Sequence, residues 1–114
     1  KNKLSELKDD ILLPEAEINS DPSWFGFPIT IKDKSTVSRK SLIDKLTKKK
    51  VGTRLLFAGN LTKQPAYINK NFRISGDLKI TDQIMSNTFW VGIQPALGEE
   101  ELTYTAKIIK ESLV

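Results

Sequence analysis

Apolar residues alternate with other residues from Trp24 to Lys32. Phe25, Phe27, Ile29 and Ile31 share one parity, and Trp24, Gly26, Pro28 and Thr30 the other, which predicts a strand. Pro28 cannot donate to a ladder, so it belongs on an edge or near a strand end. A second alternation runs from Thr88 to Gln94, with Phe89, Val91 and Ile93 on one face and Thr88, Trp90, Gly92 and Gln94 on the other. A third strand opens at Gly52, with Thr53, Leu55 and Phe57 set against Arg54 and Leu56.

Helical spacing fills the intervals. Leu42, Ile43 and Leu46 form the stripe of a helix over about 39–50, with Ser38 as its N-cap and Gly52 as its stop. Leu102, Ala106, Ile109 and Leu113 mark a last helix whose first turn holds Glu99, Glu100 and Glu101, matching the positive end of its dipole. Thr81 can cap a short helix carrying Ile84 and Met85. Leu4, Leu7 and Ile11 suggest a helix over 1–13 that Pro14 ends. Its stripe is too large for a helix standing alone, so it reads as the cut end of a longer one. The resulting order predicts an α+β fold: a small, mainly antiparallel three-stranded sheet with helices packed on one face.

After Phe57 the third strand breaks at Ala58-Gly59-Asn60 into amide- and hydroxyl-rich sequence closed by Pro65. Gly59 and Asn60 both tolerate a positive φ. A strand delivering a polar loop is a common way to place ligand-binding groups, and equally an ordinary surface turn. The stretch 68–79 is long for a structureless connection.

Composition narrows the chemistry. The chain has 114 residues, enough for one domain. No apolar run is long enough for a membrane helix and nothing resembles a signal peptide, so the expected compartment is the cytoplasm. With no cysteine and no histidine, disulfides, thiolate-held metals or clusters and histidine-based triads are excluded within this sequence. A net charge of +4 is compatible with an anionic partner. The one dense run, Lys48-Lys49-Lys50, falls in the last turn of its helix, where the dipole favours cations. The lysines are therefore read as helix-end stabilisation rather than a nucleic-acid contact. The three consecutive glutamates point in different directions on a helix and do not make a metal site.

If the helices cover Phe25, Ile29, Phe89 and their neighbours, Trp24 and Trp90 lie on the opposite face, which Gly26 and Gly92 share. Arg54 joins them, depending on register. An open apolar face with two tryptophans marks a docking surface, unless the first helix or the long loop folds back over it.

Three runs carry a resemblance: Asn19-Ser-Asp-Pro-Ser-Trp-Phe-Gly-Phe-Pro-Ile29, Gly52-Thr-Arg-Leu-Leu-Phe-Ala-Gly-Asn-Leu-Thr-Lys-Gln-Pro65 and Asp82-Gln-Ile-Met-Ser-Asn-Thr-Phe-Trp-Val-Gly92. In order and over nearly the whole chain, they resemble the C-terminal part of the CDP-4-keto-6-deoxyglucose 3-dehydrase family. That family belongs to the sugar-aminotransferase-like group of the type I pyridoxal phosphate (aspartate aminotransferase) fold. Ala58 stands where a glycine is expected and Lys63 where an arginine is.

The resemblance implies that residues 1–13 end an interdomain helix and that 14–114 form the small C-terminal domain of a longer enzyme of lipopolysaccharide and dideoxysugar (O-antigen) biosynthesis. The enzyme it implies is a homodimer using pyridoxamine or pyridoxal phosphate and a [2Fe–2S] cluster on a CDP-sugar, with a flavin iron–sulfur reductase as electron donor. The cofactors and the catalytic base would sit in the chain's own large domain. This piece would then hold no catalytic residue, cofactor or metal, would be inactive alone, and would form one wall of the substrate pocket. The substrate-facing candidates are Arg54, Asn60 and Gln64, and the domain-docking face is Trp24 with Trp90. Arg54 suits a phosphate or sugar hydroxyl but also a structural ion pair. Asn60 and Gln64 can hydrogen-bond a sugar or base, though Asn60 also suits a turn. A small domain of a related sugar aminotransferase, a free-standing nucleic-acid binder and a protein-interaction module are the alternatives. Against nucleic acid, the lysines gather at a helix end, away from the tryptophans.

Overall fold

A computed structural model describes residues 1–113. The chain forms a four-stranded antiparallel sheet of β1 (Ile11–Leu12), β2 (Phe27–Ile31), β3 (Thr53–Leu55) and β4 (Thr88–Val91), in the order β1-β2-β4-β3. Three α-helices accompany it: α1 (Arg39–Lys48), α2 (Lys79–Asn87) and α3 (Glu99–Leu113). The α+β class and the antiparallel sheet agree with the hydrophobic pattern. The expected domain limit at Val114 lies outside the described residues.

Cross-strand register explains the core. Phe27 pairs with Val91, Ile29 with Phe89, and Ile11 with Ile31, so these side chains share a face. Of these, Ile11, Ile29, Ile31, Phe89 and Val91 are buried, together with Leu42 and Leu46 of α1 and Ala106, Ile109 and Leu113 of α3. Ser38 caps α1 as expected, its side chain accepting from the Ser41 amide at 3.2 Å. Glu101 folds back on the start of α3 and accepts from the Gly98 amide at 2.9 Å.

Several expectations are corrected. Residues 1–13 are not one helix: a 3-10 helix covers Asn2–Leu7, and Ile11–Leu12 then form a fourth strand instead of the expected three-stranded limit. Leu4 still packs inward, but Ile11 reaches the core by pairing with β2. Because β1 meets β2 only at Thr30 and Ile31, Pro28 lies where the outer edge of β2 is unpaired, although β2 is not the edge strand.

The helix stop is Lys50, at φ 63, and not Gly52; the Val51 amide closes the turn on the Leu46 carbonyl at 3.0 Å. Helix α1 itself ends at Lys48, so Lys49 and Lys50 lie just beyond its last turn. Likewise α2 begins two residues before Thr81. Leu78 is in the left-handed region, and the Asp77 carboxylate accepts the Lys79 amide at 3.1 Å, taking the role expected of Thr81. No helix of the described residues is long and apolar enough to cross a membrane.

Candidate functional site

The third strand ends at Leu55, and the chain then turns sharply. Leu56 is followed by Phe57 at φ 49 and Gly59 at φ 66, so the left-handed positions fall there and not on Asn60. The Leu55 carbonyl accepts two donors, the Phe57 amide at 3.0 Å and the Trp90 indole nitrogen at 3.2 Å. Register places Arg54 beside Trp90, on the sheet face opposite the core. One acceptor thus ties the turn to the aromatic ring that flanks Arg54.

Asn60 is only 3% exposed, and its side chain is turned inward. Its Oδ1 accepts from the Thr62 amide at 3.0 Å and the Thr62 hydroxyl at 2.7 Å, capping a 3-10 turn over Leu61–Lys63. Its Nδ2 donates to Asp82 Oδ1 at 2.7 Å, reaching across to α2. Lys63 Nζ meets the other oxygen of Asp82 at 2.9 Å. Hydrogen bonding from Lys63 first, and from Asn60 second, holds the Asp82 carboxyl below the ordinary value of 3.8. Gln64 closes the loop from behind, its Nε2 donating to the Ala58 carbonyl at 2.6 Å. Among the described residues no buried side-chain nitrogen or oxygen lacks a partner.

The three substrate-facing candidates therefore differ. Arg54 is exposed and joins no ion pair among the described residues, so the structural ion pair is not seen. Gln64 is partly exposed and commits its amide nitrogen to the loop. Asn60 is built into the loop and positions it.

The tryptophan pair needs a correction. Trp24 lies ahead of β2, where strand parity no longer applies, and borders a shallow groove with Ile93, Pro95, Leu97 and Leu102. Phe25, expected on the core face, instead packs its ring on Trp90 with centroids 4.9 Å apart. Gly26 lies directly under that indole: a Cβ there would fall 1.7 Å from Trp90 Cε3. Trp24 is 43% and Phe25 78% exposed, so aromatic surface is open on both sides of the strand's start.

Asp82, Lys63 and Met85, which complete the loop's support, were not foreseen. Asp82 is 22 residues from Asn60 in sequence, and no local spacing rule joins residues so far apart. A clearer sign was the pair Gly59 and Met85, a conformationally free residue and a flexible side chain that fills irregular gaps.

Residues 1–110 match the DegT/DnrJ/EryC1/StrS aminotransferase family. The lipopolysaccharide biosynthesis protein RfbH of Salmonella typhimurium is 50% identical over 111 residues, covering 97% of this chain and 25% of the relative. The dTDP-4-dehydro-2,6-dideoxy-D-glucose 3-dehydratase of Saccharopolyspora spinosa is 42% identical over 101 residues, covering 89% of this chain and 22% of that protein. The chain thus spans about a quarter of the length of these curated relatives. Among solved structures, Escherichia coli GDP-4-keto-6-deoxy-D-mannose-3-dehydratase with bound hydrated PLP superposes with a TM-score of 0.76 at 23% identity. That match covers 98% of this chain and 28% of that one, and establishes a shared fold.

Proposed function

This chain belongs to the DegT/DnrJ/EryC1/StrS aminotransferase family, and on that premise we propose that it serves as the C-terminal small domain of a nucleotide-sugar 3-dehydratase. In this reading it forms one wall of the substrate pocket and contributes to 3,6-dideoxysugar synthesis. The carrying observation is the pairing of β3 with β4, which sets Arg54, without an ion-pair partner among the described residues, beside the Trp90 ring. The latched loop and its partly exposed Gln64 follow directly in the chain. An exposed guanidinium without a counter-ion among the described residues suits a phosphate or a sugar hydroxyl. The names of the relatives support a nucleotide-sugar substrate.

The reactive groups belong elsewhere in the longer polypeptide. Without cysteine the chain cannot supply thiolates to a [2Fe–2S] cluster. None of its described lysines is buried, so none offers an enclosed amine to hold pyridoxal phosphate covalently. Neither group fits these residues, and the chain's share of the work is to bind, orient and exclude water. The exposed aromatic surface of Trp24 and Phe25 faces the large domain, and dimer contacts and the flavin reductase engage the rest of the polypeptide.

A graft tests this reading. This chain replaces the matching segment of the Saccharopolyspora spinosa 3-dehydratase, and turnover of that enzyme's nucleotide sugar is measured. Arg54→Ala and Gln64→Ala in the graft are expected to raise KM at least about tenfold, the loss of one or two hydrogen bonds to a charged or polar group. An active graft whose two variants keep the parent kcat/KM would refute the pocket-wall role.

A further inference from the structure

Met85 is the one methionine of a chain without cysteine, so its thioether is the sole oxidisable sulfur. It lies in α2 and is partly exposed. Its Sδ accepts the Asn60 amide at 3.3 Å. Its Cβ and Cγ fill the notch beside Gly59, where a built Cβ would stand 2.6 and 2.5 Å from them. Its own carbonyl is gripped by Arg39, whose Nη1 donates to Met85 at 2.6 Å and to the Thr88 carbonyl at 3.2 Å. The sulfur is thus pressed against a loop on one side while its backbone is pinned on the other.

We propose that Met85 is a peroxide-modifiable latch on the loop Phe57–Gln64, holding Asn60 in place as a thioether and releasing it as a sulfoxide. A sulfur lone pair attacks one oxygen of hydrogen peroxide, the O–O bond breaks, and water leaves after proton transfer. Sulfur loses two electrons and peroxide gains them. The product carries a polar oxygen where only a weak acceptor stood. An N–H···O bond to that oxygen requires about 2.9 Å from Asn60 N to O. Sulfur, one bond further back, must then withdraw from its present 3.3 Å for the bond to be straight. Arg39 holds the Met85 carbonyl on α2 while Met85 Cβ and Cγ already fill the notch beside Gly59, so withdrawal of the sulfur takes its contact away from Asn60 and the loop loosens there. Asn60 carries both the Thr62 cap and the Asp82 bond, so its displacement loosens both. The inference concerns the loop's own order and stands whether or not the loop meets a sugar.

The 114-residue chain, isotopically labelled, is treated with hydrogen peroxide. Met85 sulfoxide is followed by peptide mass mapping and amide protection by hydrogen exchange. The expected result is sulfoxide at Met85, exchange at Thr62 faster by about tenfold, unchanged protection at Phe89 and Ile109, and reversal by methionine sulfoxide reductases. Met85→Leu, which conserves volume, should fold and show no response to peroxide. Sulfoxide formation with unaltered Asn60 and Thr62 amides overturns the proposal. So does a Met85 that resists peroxide until the chain unfolds, or a loss of core protection in step with the loop.

Discussion

Replacing Asn60 by alanine isolates the residue on which the loop's shape rests. The substitution removes the acceptor for the Thr62 amide and hydroxyl and the donor to Asp82, at a position 3% exposed to solvent. Loss of a side-chain cap costs about 1 kcal/mol, and up to about 2 where the site is protected. Asp82 keeps Lys63 and regains water on its exposed side, so its separation from Asn60 adds little. An overall loss of about 1–2 kcal/mol is therefore expected. Urea denaturation should show a lower midpoint at unchanged slope, since the core is untouched. Exchange at the Thr62 amide should accelerate about tenfold, the equivalent of about 1.4 kcal/mol. Asn60→Asp refines the test by keeping the capping oxygen while setting a second carboxylate against Asp82. Its stability should be lowest near neutral pH and recover as either group is protonated. Should Asn60→Ala lie within about 0.5 kcal/mol of the parent, as substitutions on open surface do, and leave Thr62 protected, the buried network would not be what orders the loop.

The remaining expectations concern the same face. The Asp82 carboxyl should titrate below 3.8 by NMR and move upward in Lys63→Met and in Asn60→Ala, since those two residues hold it down. Its folded pKa is depressed, so the associated stability is fully present above the unfolded pKa and disappears as pH falls through the folded one. The Glu99 carboxyl beside Lys3, held below 4.5, acts with the same sign, and acid unfolding midpoints should shift upward when either lysine partner is removed. Gly26→Ala puts a methyl into the Trp90 ring, and overpacking of this kind costs about 1–3 kcal/mol. Near-ultraviolet circular dichroism should register the displaced indole. Gly59→Ala forces an alanine to φ +66 against Met85; the left-handed conformation alone costs about 1–2 kcal/mol, and a thermal melt should show a corresponding loss.

The hydrophobic pattern located what depends on short-range periodicity. Phe27, Ile29 and Ile31, and likewise Phe89 and Val91, alternate because one sheet face meets helices, and their register follows from the shared parity. Ser38 and the three glutamates mark helix starts through local hydrogen bonding and dipole effects. Parity failed where the strand had not yet begun: Trp24 and Phe25 precede β2, and the ring that reached Trp90 was Phe25. A two-residue strand offers too few positions to show alternation, so Ile11–Leu12 was absorbed into a helical stripe. Left-handed backbone at Lys50, Phe57 and Leu78 lay outside the usual glycine and asparagine signals; at Lys50 it accompanies the bond from the Val51 amide to the Leu46 carbonyl that closes the helix. At the candidate site the sequence yielded Arg54 and the loop. It could not reveal that Asn60 spends its hydrogen bonds on Thr62 and a distant helix.

The division between hydrophobic core and hydrogen-bonded loop has a consequence for how the site is kept in shape. Phe57 is 82% exposed and, with Leu61, Ile68 and Ile80, presents apolar surface that the core of β1, β2, β4, α1 and α3 does not cover. Burying these side chains against another surface would contribute roughly 25 cal/mol for each Å² removed from water. The loop does not need that contribution to be ordered, because Asn60, Thr62, Gln64, Asp82 and the Trp90 indole already fix its backbone from within. Its apolar side chains are therefore free to contribute to contact with a neighbouring surface, with little backbone ordering left to offset the gain. Disrupting Asn60 should weaken such contact even though Asn60 is itself buried. Removing the exposed Phe57 side chain should weaken it without loosening the loop, and the two substitutions can be told apart by exchange at the Thr62 amide.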